Sequence, residues 1–235
     1  MSKRWIIPDI HGCAKTLKVL LENMLTVTKH DQLYFLGDYI DRGPDSKGVL
    51  DYLMHLQEEE YEVHFIKGNH EDMCVKAYQA DQKKKLFGKH PEQKEWEAVG
   101  AKATLASFGV KHPREIPQKY IDWMNACSPY IELEEYILVH AGMNFNIADP
   151  FKDEDSMMWT RRFKVNYDKS HGKKIIQWHI PVDYAFINHV IENNQNHDFI
   201  VLDNGVYVTD QSGMGNLTAF NPDTKEIIAQ SNMDL

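Results

Sequence analysis

The feature that most constrains the fold is a series of short apolar runs that each lead into aspartate, asparagine or histidine. Each run is rich in β-branched or aromatic residues, which is the pattern of a buried strand. The runs are Arg4–Pro8 before Asp9, Gln32–Leu36 before Asp38, Val63–Lys67 before Asn69 and His70, Tyr136–Val139 before His140, and Lys174–Trp178 before His179. Apolar residues at helical spacing lie between the first runs, with Asp45 or Ser46 as the predicted N-cap of a helix over Val49–Leu56. Alternating strands and helices predict an α/β fold with a largely parallel or mixed sheet.

The remaining segments predict how this fold is elaborated. The stretch from about residue 72 to 130 is mostly of helical character, and we interpret it as a helical cap on a single domain spanning residues 1–235. Beyond Pro181 the pattern favours an antiparallel end-sheet, because short apolar runs alternate with turn sequences. Its predicted strands are Phe199–Leu202, Val206–Thr209, Leu217–Phe220 and Glu226–Ala229.

Charge and cysteine content narrow the classes of partner and compartment. The chain has 26 lysine and arginine residues against 35 acidic ones, a net charge of −9. Such a chain is disfavoured as a general binder of nucleic acid or membrane surfaces, since its field repels polyanions. Three cysteines without a CxxC pair indicate a reducing compartment, and no apolar run reaches the roughly 18–20 residues of a membrane helix. We expect a cytoplasmic protein whose oligomeric state the sequence leaves open.

The residues at the predicted strand ends are oxygen and imidazole donors without a thiolate. In an α/β sheet, ligands bind at the carboxyl ends of the strands, where such side chains meet. These donors suit manganese, iron, zinc or similar divalent ions, and they exceed the needs of one tetrahedral ion. The pattern therefore predicts two ions about 3.5–4 Å apart, bridged by a carboxylate.

Four ordered motifs identify a family resemblance. They are Asp-Ile-His-Gly (9–12), Gly-Asp-Tyr-Ile-Asp-Arg-Gly (37–43), Gly-Asn-His-Glu (68–71) and His-Ala-Gly (140–142). This set of motifs resembles that of the calcineurin-like metallophosphoesterases. The Asp-Arg-Gly that ends the second motif is similar to that of the phosphoprotein (serine/threonine) phosphatase branch, in its small bacterial form. Further similar segments are Gly100–Gly109, Met158–Arg161 and Leu202–Tyr207. The resemblance implies two stacked mixed β-sheets flanked by helices, an αββα sandwich.

The resemblance also implies a role for each motif residue. One ion would be held by Asp9, His11 and Asp38. The other would be held by Asp38, Asn69, His140 and His179, so that Asp38 bridges the two. Arg42 and Arg161 would bind phosphate oxygens, and His70 would protonate the leaving group while Asp41 orients it. Manganese is the favoured metal, with iron, zinc or nickel as alternatives.

Each of these residues also has an ordinary structural explanation when taken alone. Asp9 fits a helix N-cap, Arg42 a surface ion pair with its neighbour, and His140 a hydrogen-bonded core histidine. Their joint occurrence in order favours the functional interpretation, because structure alone does not require these residue types at every strand end.

The sequence departs from the family pattern at two positions. Pro8 and Trp178 stand where the family has glycine. Because neighbouring residues of a strand alternate between its two faces, we expect the side chains of Trp178 and His179 to project to opposite sides. His179 would then reach the second ion from a strand shifted relative to the family position, so we expect that ion to be held more loosely. His189 is the alternative to His179 as the last ligand, and we favour His179 because it ends a predicted strand.

The expected activity is metal-dependent hydrolysis of phosphomonoesters by attack of a metal-bound hydroxide. The resemblance favours a serine/threonine protein phosphatase, with a phosphorylated protein, peptide or small phosphoester as partner. The first alternative is a bis(5'-nucleosyl)-tetraphosphatase, for which Phe87 and Trp96 could stack on bases and the lysines of Lys83–Lys94 could bind phosphates. For those lysines a solvated face remains the default interpretation. The second alternative is a catalytically weak phosphate-binding module.

Overall fold

A computed structural model of the protein describes residues 2–83, 85, 88–177 and 179–235. The expectations for Phe87 and Trp178 fall outside the described residues. The strands are β1 (Arg4–Ile7), β2 (Gln32–Phe35), β3 (Glu62–Phe65), β4 (Tyr130–Glu132), β5 (Tyr136–Val139), β6 (Lys174–Gln177), β7 (Phe199–Val201), β8 (Asn216–Phe220) and β9 (Ile227–Ser231). The α-helices are α1 (Ala14–Lys18), α2 (Ser46–Glu58), α3 (Asn69–Asp81), α4 (Pro91–Val99), α5 (Ala101–Phe108), α6 (Gln118–Ala126), α7 (Glu154–Trp159) and α8 (Tyr184–Glu192). A π-helical segment, Val19–Met24, continues α1.

The strands form two mixed sheets. The first has the order β3-β2-β1-β8-β9, in which β1, β2 and β3 are parallel and β8 and β9 are antiparallel to their neighbours. The second has the order β4-β5-β6-β7, in which β5, β6 and β7 are parallel and β4 is antiparallel to β5. All the strands that the sequence predicts to end in polar residues are among the parallel ones.

Alternate residues of the strands face two different layers, as the period of a strand requires. In β1, Ile6 packs with Leu138 of β5 and Ile176 of β6, so the two sheets face each other. Trp5 and Ile7 point the other way, into the cluster that contains the helix residues Leu17 and Leu50. On the far face of the second sheet, Ile137 and Ile175 pack with Met157 of α7. The predicted αββα sandwich is confirmed.

The prediction of an antiparallel end-sheet is confirmed for β8 and β9, which form an antiparallel pair at the edge of the first sheet, and is wrong for the other two predicted strands. Strand β7 pairs in parallel with β6 in the second sheet, whereas β8 and β9 extend the first sheet. The segment Val206–Thr209 is not a strand. It begins with a turn at Val206 and Tyr207, where Gly205 adopts a φ of +64° and its carbonyl accepts a hydrogen bond from Val208 N. Helix α8, which the sequence pattern does not predict, begins after the N-cap Asp183.

Two helical features of the first half of the chain bear on the predictions made from the sequence. Asp45 is the N-cap of α2, as predicted, since its side chain accepts a hydrogen bond from Gly48 N. Helices α3 to α6 fill most of the segment interpreted as a helical cap, and they pack on the outer face of the first sheet.

Among the described residues, no helix combines the length and apolar character needed to cross a membrane.

Candidate metal centre

The predicted site residues follow five parallel strands whose carboxyl ends meet between the two sheets. Asp9 and His11 follow β1, Asp38 follows β2, Asn69 and His70 follow β3, His140 follows β5, and His179 follows β6. All are buried except His179, which is partly exposed. Since the two sheets face each other, both sets of strand ends contribute to one cluster of side chains.

Side chains that could hold a metal ion form two groups, and Asp38 belongs to both. In the first group, the candidate ligand atoms of His11, Asp38 and His70 lie within 4.8 Å of one another. In the second group, those of Asp38, His140 and His179 do so. A carboxylate shared by two groups of donors has the placement that bridging two ions requires.

Asp9 and Asn69, the other two predicted ligands, lie against the same groups. Asp9 Oδ2 is 3.7 Å from His11 Nε2, and Asp9 Oδ1 is 3.8 Å from His140 Nδ1. Asn69 Oδ1 is 2.9 Å from His140 Nε2, which is itself 3.2 Å from His179 Nδ1. The six predicted ligands are therefore brought together.

The chemistry of these donors fits divalent cations. Asp9 Oδ1 and His179 Nε2 are buried and have no hydrogen-bond partner within the described part of the chain. A buried polar atom without a partner is costly, and coordination to a cation would satisfy it. Carboxylate oxygens and imidazole nitrogens are the ligands that suit manganese, iron or zinc.

The electrostatics of the cluster also favour bound cations. Burial and the neighbouring Asp38 carboxylate raise the pKa of Asp9 well above its usual range. Burial and Asp38 likewise raise the pKa of Glu71 to about 7, and burial raises the pKa of Asp203 to about 6. Burial and His140 lower the pKa of His179 to about 4, so its imidazole is neutral and available as a ligand near neutral pH. Several carboxylates crowded together are stabilised as anions by a nearby cation.

The backbone at the site is held in unusual conformations. Five predicted site residues other than glycine have a positive φ, namely His11 (44°), Asp38 (49°), Asp41 (71°), Arg42 (65°) and His179 (80°). Each such residue costs about 1–3 kcal/mol and persists only where its surroundings enforce it. Hydrogen bonds from His11 N to Asp38 O (2.8 Å) and from Gly43 N to His11 O (3.0 Å) tie the first two loops together.

Glu71 fixes the loop that carries Asp38. Its Oε2 accepts hydrogen bonds from Asp38 N (2.8 Å) and Gly68 N (3.0 Å), and its Oε1 accepts one from Tyr39 N (2.8 Å). Glu71 is the last residue of the motif Gly-Asn-His-Glu (68–71), and no role is predicted for it from the sequence. Its burial and its three backbone donors show that Glu71 fixes the loops after β2 and β3 relative to each other.

Asp41 lies where it can orient His70. Its Oδ2 accepts hydrogen bonds from His70 Nδ1 (2.7 Å) and from Trp96 Nε1 (2.8 Å), and its Oδ1 accepts one from Thr104 Oγ1 (2.5 Å). Although burial opposes protonation of His70, the charges of Asp38 and Asp41 outweigh it and raise the pKa of His70. Trp96 is fully buried. The expectation that Trp96 could stack on a base is therefore wrong, since its indole is used inside the protein to hold Asp41.

The two predicted phosphate-binding arginines have exposed side chains. The guanidinium carbon of Arg42 lies 4.3 Å from the ring centroid of Tyr207, a cation–π contact. The same ring makes an edge contact with His11, with centroids 4.8 Å apart. Arg161 lies close enough for its charge to contribute, after burial and His140, to the lowered pKa of His179. Tyr207 lies in the segment Leu202–Tyr207 that resembles the family, but no role is predicted for it from the sequence.

The two candidates for the last ligand occupy different places. His179 lies in the second donor group, with Nδ1 3.2 Å from His140 Nε2. His189 is exposed on α8, where its ring lies 6.1 Å from that of His197 and Asn193 Nδ2 donates to its backbone carbonyl at 2.9 Å. The geometry favours His179.

We expect His179→Ala to weaken binding of one manganese ion per chain, whereas His189→Ala should leave both ions in place. Loss of one ligand from a two-ion site removes a metal–ligand bond and so weakens binding of the ion which that ligand holds. Isothermal titration with Mn²⁺ would measure both variants against the unmodified protein. Weakened binding in His189→Ala with normal binding in His179→Ala would reverse the assignment.

Comparison with known proteins places this geometry in a family. A family model described as calcineurin-like phosphoesterase matches residues 2–209. The chain is 31% identical to a bis(5'-nucleosyl)-tetraphosphatase PrpE [asymmetrical] of Oceanobacillus iheyensis over 59% of this chain and 55% of that one. It is 38% identical to serine/threonine-protein phosphatase 1 of Salmonella typhimurium over 33% of this chain and 34% of that one. The matched part of the chain thus spans about half the length of the first relative and less of the second.

Solved structures extend the comparison to the fold. A serine/threonine phosphatase from Saccharomyces cerevisiae, described as similar to human PP5, superimposes with a TM-score of 0.62 at 15% identity. The match covers 100% of this chain and 81% of that one. Since the family model covers most of the chain and the strand-end residues of its motifs converge in the structure, the chain belongs to the calcineurin-like phosphoesterase family.

Proposed function

We propose that this chain is a hydrolase of phosphate esters that works with two divalent metal ions, with manganese as the expected metal. The observation that carries the proposal is the position of Asp38. Its carboxylate is shared by both donor groups, and its Oδ2 lies 3.8 Å from His70 Nε2. A bridging carboxylate next to a carboxylate-oriented imidazole is an arrangement suited to phosphoryl transfer to water.

The proposed ligands divide between the two ions. One ion would be held by Asp9, His11 and Asp38, and the other by Asp38, Asn69, His140 and His179. When bound, two divalent cations act as Lewis acids on the phosphoryl oxygens and lower the pKa of the attacking water.

The protein's own side chains would bind the phosphoryl group and protonate the leaving oxygen. The guanidinium groups of Arg42 and Arg161 match phosphate oxygens in geometry and charge. The contact with Tyr207 restricts the orientation of Arg42, which lowers the entropy lost when the arginine binds phosphate. His70 donates from Nδ1 to Asp41, so Nε2 is the nitrogen that would protonate the leaving oxygen.

The first proposed substrate class is phosphoserine and phosphothreonine in proteins or peptides. Two observations support it. The Salmonella relative is named a serine/threonine-protein phosphatase, and the match to it is 38% identical. The burial of Trp96 removes a side chain that a base-binding site could have used.

Dinucleoside tetraphosphates are the second candidate. The longer match supports them, because the Oceanobacillus relative is named a bis(5'-nucleosyl)-tetraphosphatase and aligns with 59% of this chain. Hydrolysis of a dinucleotide requires the same two-ion chemistry with a different leaving group. The two candidates therefore differ in recognition, not in the metal centre.

The test is a comparison of substrates with the manganese-loaded protein. We expect turnover of p-nitrophenyl phosphate that disappears when EDTA removes the metal, together with hydrolysis of phosphoserine and phosphothreonine peptides. Diadenosine tetraphosphate, measured in parallel, decides the substrate class. A kcat/KM for the dinucleotide that is orders of magnitude above that of every phosphopeptide would replace the first candidate with the second. Binding of inorganic phosphate without turnover of any ester would indicate a binding module and overturn the proposal.

A further inference from the structure

The segment Asn232–Leu235, here called the tail segment, lies across the start of α1. Asp234 accepts hydrogen bonds from Lys15 N (2.9 Å), Thr16 N (2.8 Å) and Thr16 Oγ1 (2.6 Å). The N-cap residue of α1 is Cys13, which makes no side-chain capping bond. Asp234 thus supplies, from 219 residues away, the acceptor that a serine or aspartate N-cap normally provides. Its negative charge also suits the positive end of a helix.

Asn232 connects the tail segment to the turn after β7. Its Nδ2 donates to Val206 O at 2.5 Å and contacts Cys13 Sγ at 3.6 Å. The Cys13 thiol in turn donates to His11 O at 3.6 Å. The Oδ1 of Asn232 accepts a hydrogen bond from Asp234 N at 2.6 Å, which joins the two residues into one unit.

Both connections lead to His11, and the connection through Val206 also leads to Arg42. Val206 precedes Tyr207, whose ring contacts the imidazole of His11 and lies against the guanidinium of Arg42. On the other side, only Gly12 separates His11 from Cys13 and the start of α1. His11 has a φ of 44°, a strained conformation that depends on its surroundings.

We propose that the tail segment is a positioning element of the metal and phosphate site. It holds the loop of His11 and the Arg42–Tyr207 pair in their relative places without touching metal or substrate. The proposal rests on the proposed function for its consequence in binding, while its structural part concerns only the two loops. Replacing a residue that orients metal ligands without binding the metal itself typically changes metal affinity about 10–100-fold.

The test compares two tail variants with a matched control. Asn232→Ala removes the bond to Val206, and Asp234→Asn weakens the cap on α1. Asp31→Asn is the control, because Asp31 accepts the same set of bonds, from Lys3 N (2.8 Å), Thr28 N (2.8 Å) and Thr28 Oγ1 (2.9 Å). Asp31 directly precedes β2, at the end of the sheet opposite to the candidate centre.

Hydrogen exchange and Mn²⁺ titration give independent readouts. We expect both tail variants to exchange faster at amides of residues 10–16 and 205–209 and to bind Mn²⁺ about ten-fold more weakly. The control should lose similar thermal stability yet keep unmodified exchange in both loops and unmodified Mn²⁺ affinity.

Two results would overturn the inference. One is unmodified exchange in both loops for both tail variants. The other is an equal loss of Mn²⁺ affinity in Asp31→Asn, which would make the effect one of general stability. If the unmodified protein binds no Mn²⁺, the proposed function fails, and the exchange data still decide whether the tail segment holds the loops.

Discussion

An Asp38→Asn protein is expected to fold, to bind neither of the two proposed metal ions firmly and to show at least about 1,000-fold less of the proposed hydrolysis of phosphate esters. The carboxylate has two anionic oxygens, and its position in both donor groups allows it to serve two ions. Asparagine keeps the shape but has one neutral oxygen acceptor and no charge. Since bound metal supplies several kcal/mol of transition-state stabilisation, and about 1.4 kcal/mol corresponds to ten-fold in rate, a large loss follows.

The fold should survive this substitution because Asp38 follows a strand end outside the hydrophobic clusters, and asparagine keeps nearly the same shape. The charge of Asp38 raises the pKa of each of three buried neighbours, Asp9, Glu71 and Asp203, after the larger effect of burial. An uncharged side chain removes that contribution, and its oxygen can still accept the bond from His70 N (3.1 Å) that Asp38 Oδ1 accepts.

Elemental analysis by mass spectrometry, together with a thermal unfolding curve, would check the prediction. Asp31→Asn serves again as the control, since it removes a charge from a buried carboxylate outside the centre. Two tightly bound ions per chain in Asp38→Asn would rule out the bridging role of this residue.

The positions of the site residues could be predicted from the sequence because they depend on a local rule. A buried run that stops at a polar residue fixes that residue at a strand end, and parallel strands bring their carboxyl ends to one edge. Asp9 after β1 and Asp38 after β2 needed no further information. The same rule placed His179 rather than His189, which lies within α8.

The parts that could not be predicted depend on pairings between distant segments. The run that forms β7 is equally compatible with either sheet, and its partner β6 is set by tertiary packing. Trp96 and Thr104 reach Asp41 from 55 and 63 residues away, and neither has a local pattern that indicates this contact. Patterns of hydrophobicity describe which face of an element is buried, not which polar atom it meets.

Replacing His70 with asparagine tests the proton-transfer step and separates it from metal binding. His70 belongs to the first donor group, yet its Nδ1 is bonded to Asp41, so the imidazole could serve as a proton donor or as a ligand. If it is the proton donor, turnover of alkyl phosphates should fall by about 10²–10⁴-fold while both ions remain bound. For p-nitrophenyl phosphate the loss should be much smaller, because nitrophenolate leaves without needing a proton.

His189→Asn is the matched control for this variant, because it replaces an exposed histidine on α8. The turnover of both esters should be unchanged in this control. Steady-state kinetics on one alkyl and one nitrophenyl ester, with metal content measured on the same samples, give a decisive pattern. Equal losses on both esters would show that His70 positions the phosphoryl group instead of protonating the leaving oxygen. Loss of one ion per chain would make His70 a ligand in the first donor group. Only a loss confined to the poor leaving group, at full metal content, supports the general acid, because only that role depends on the basicity of the departing oxygen.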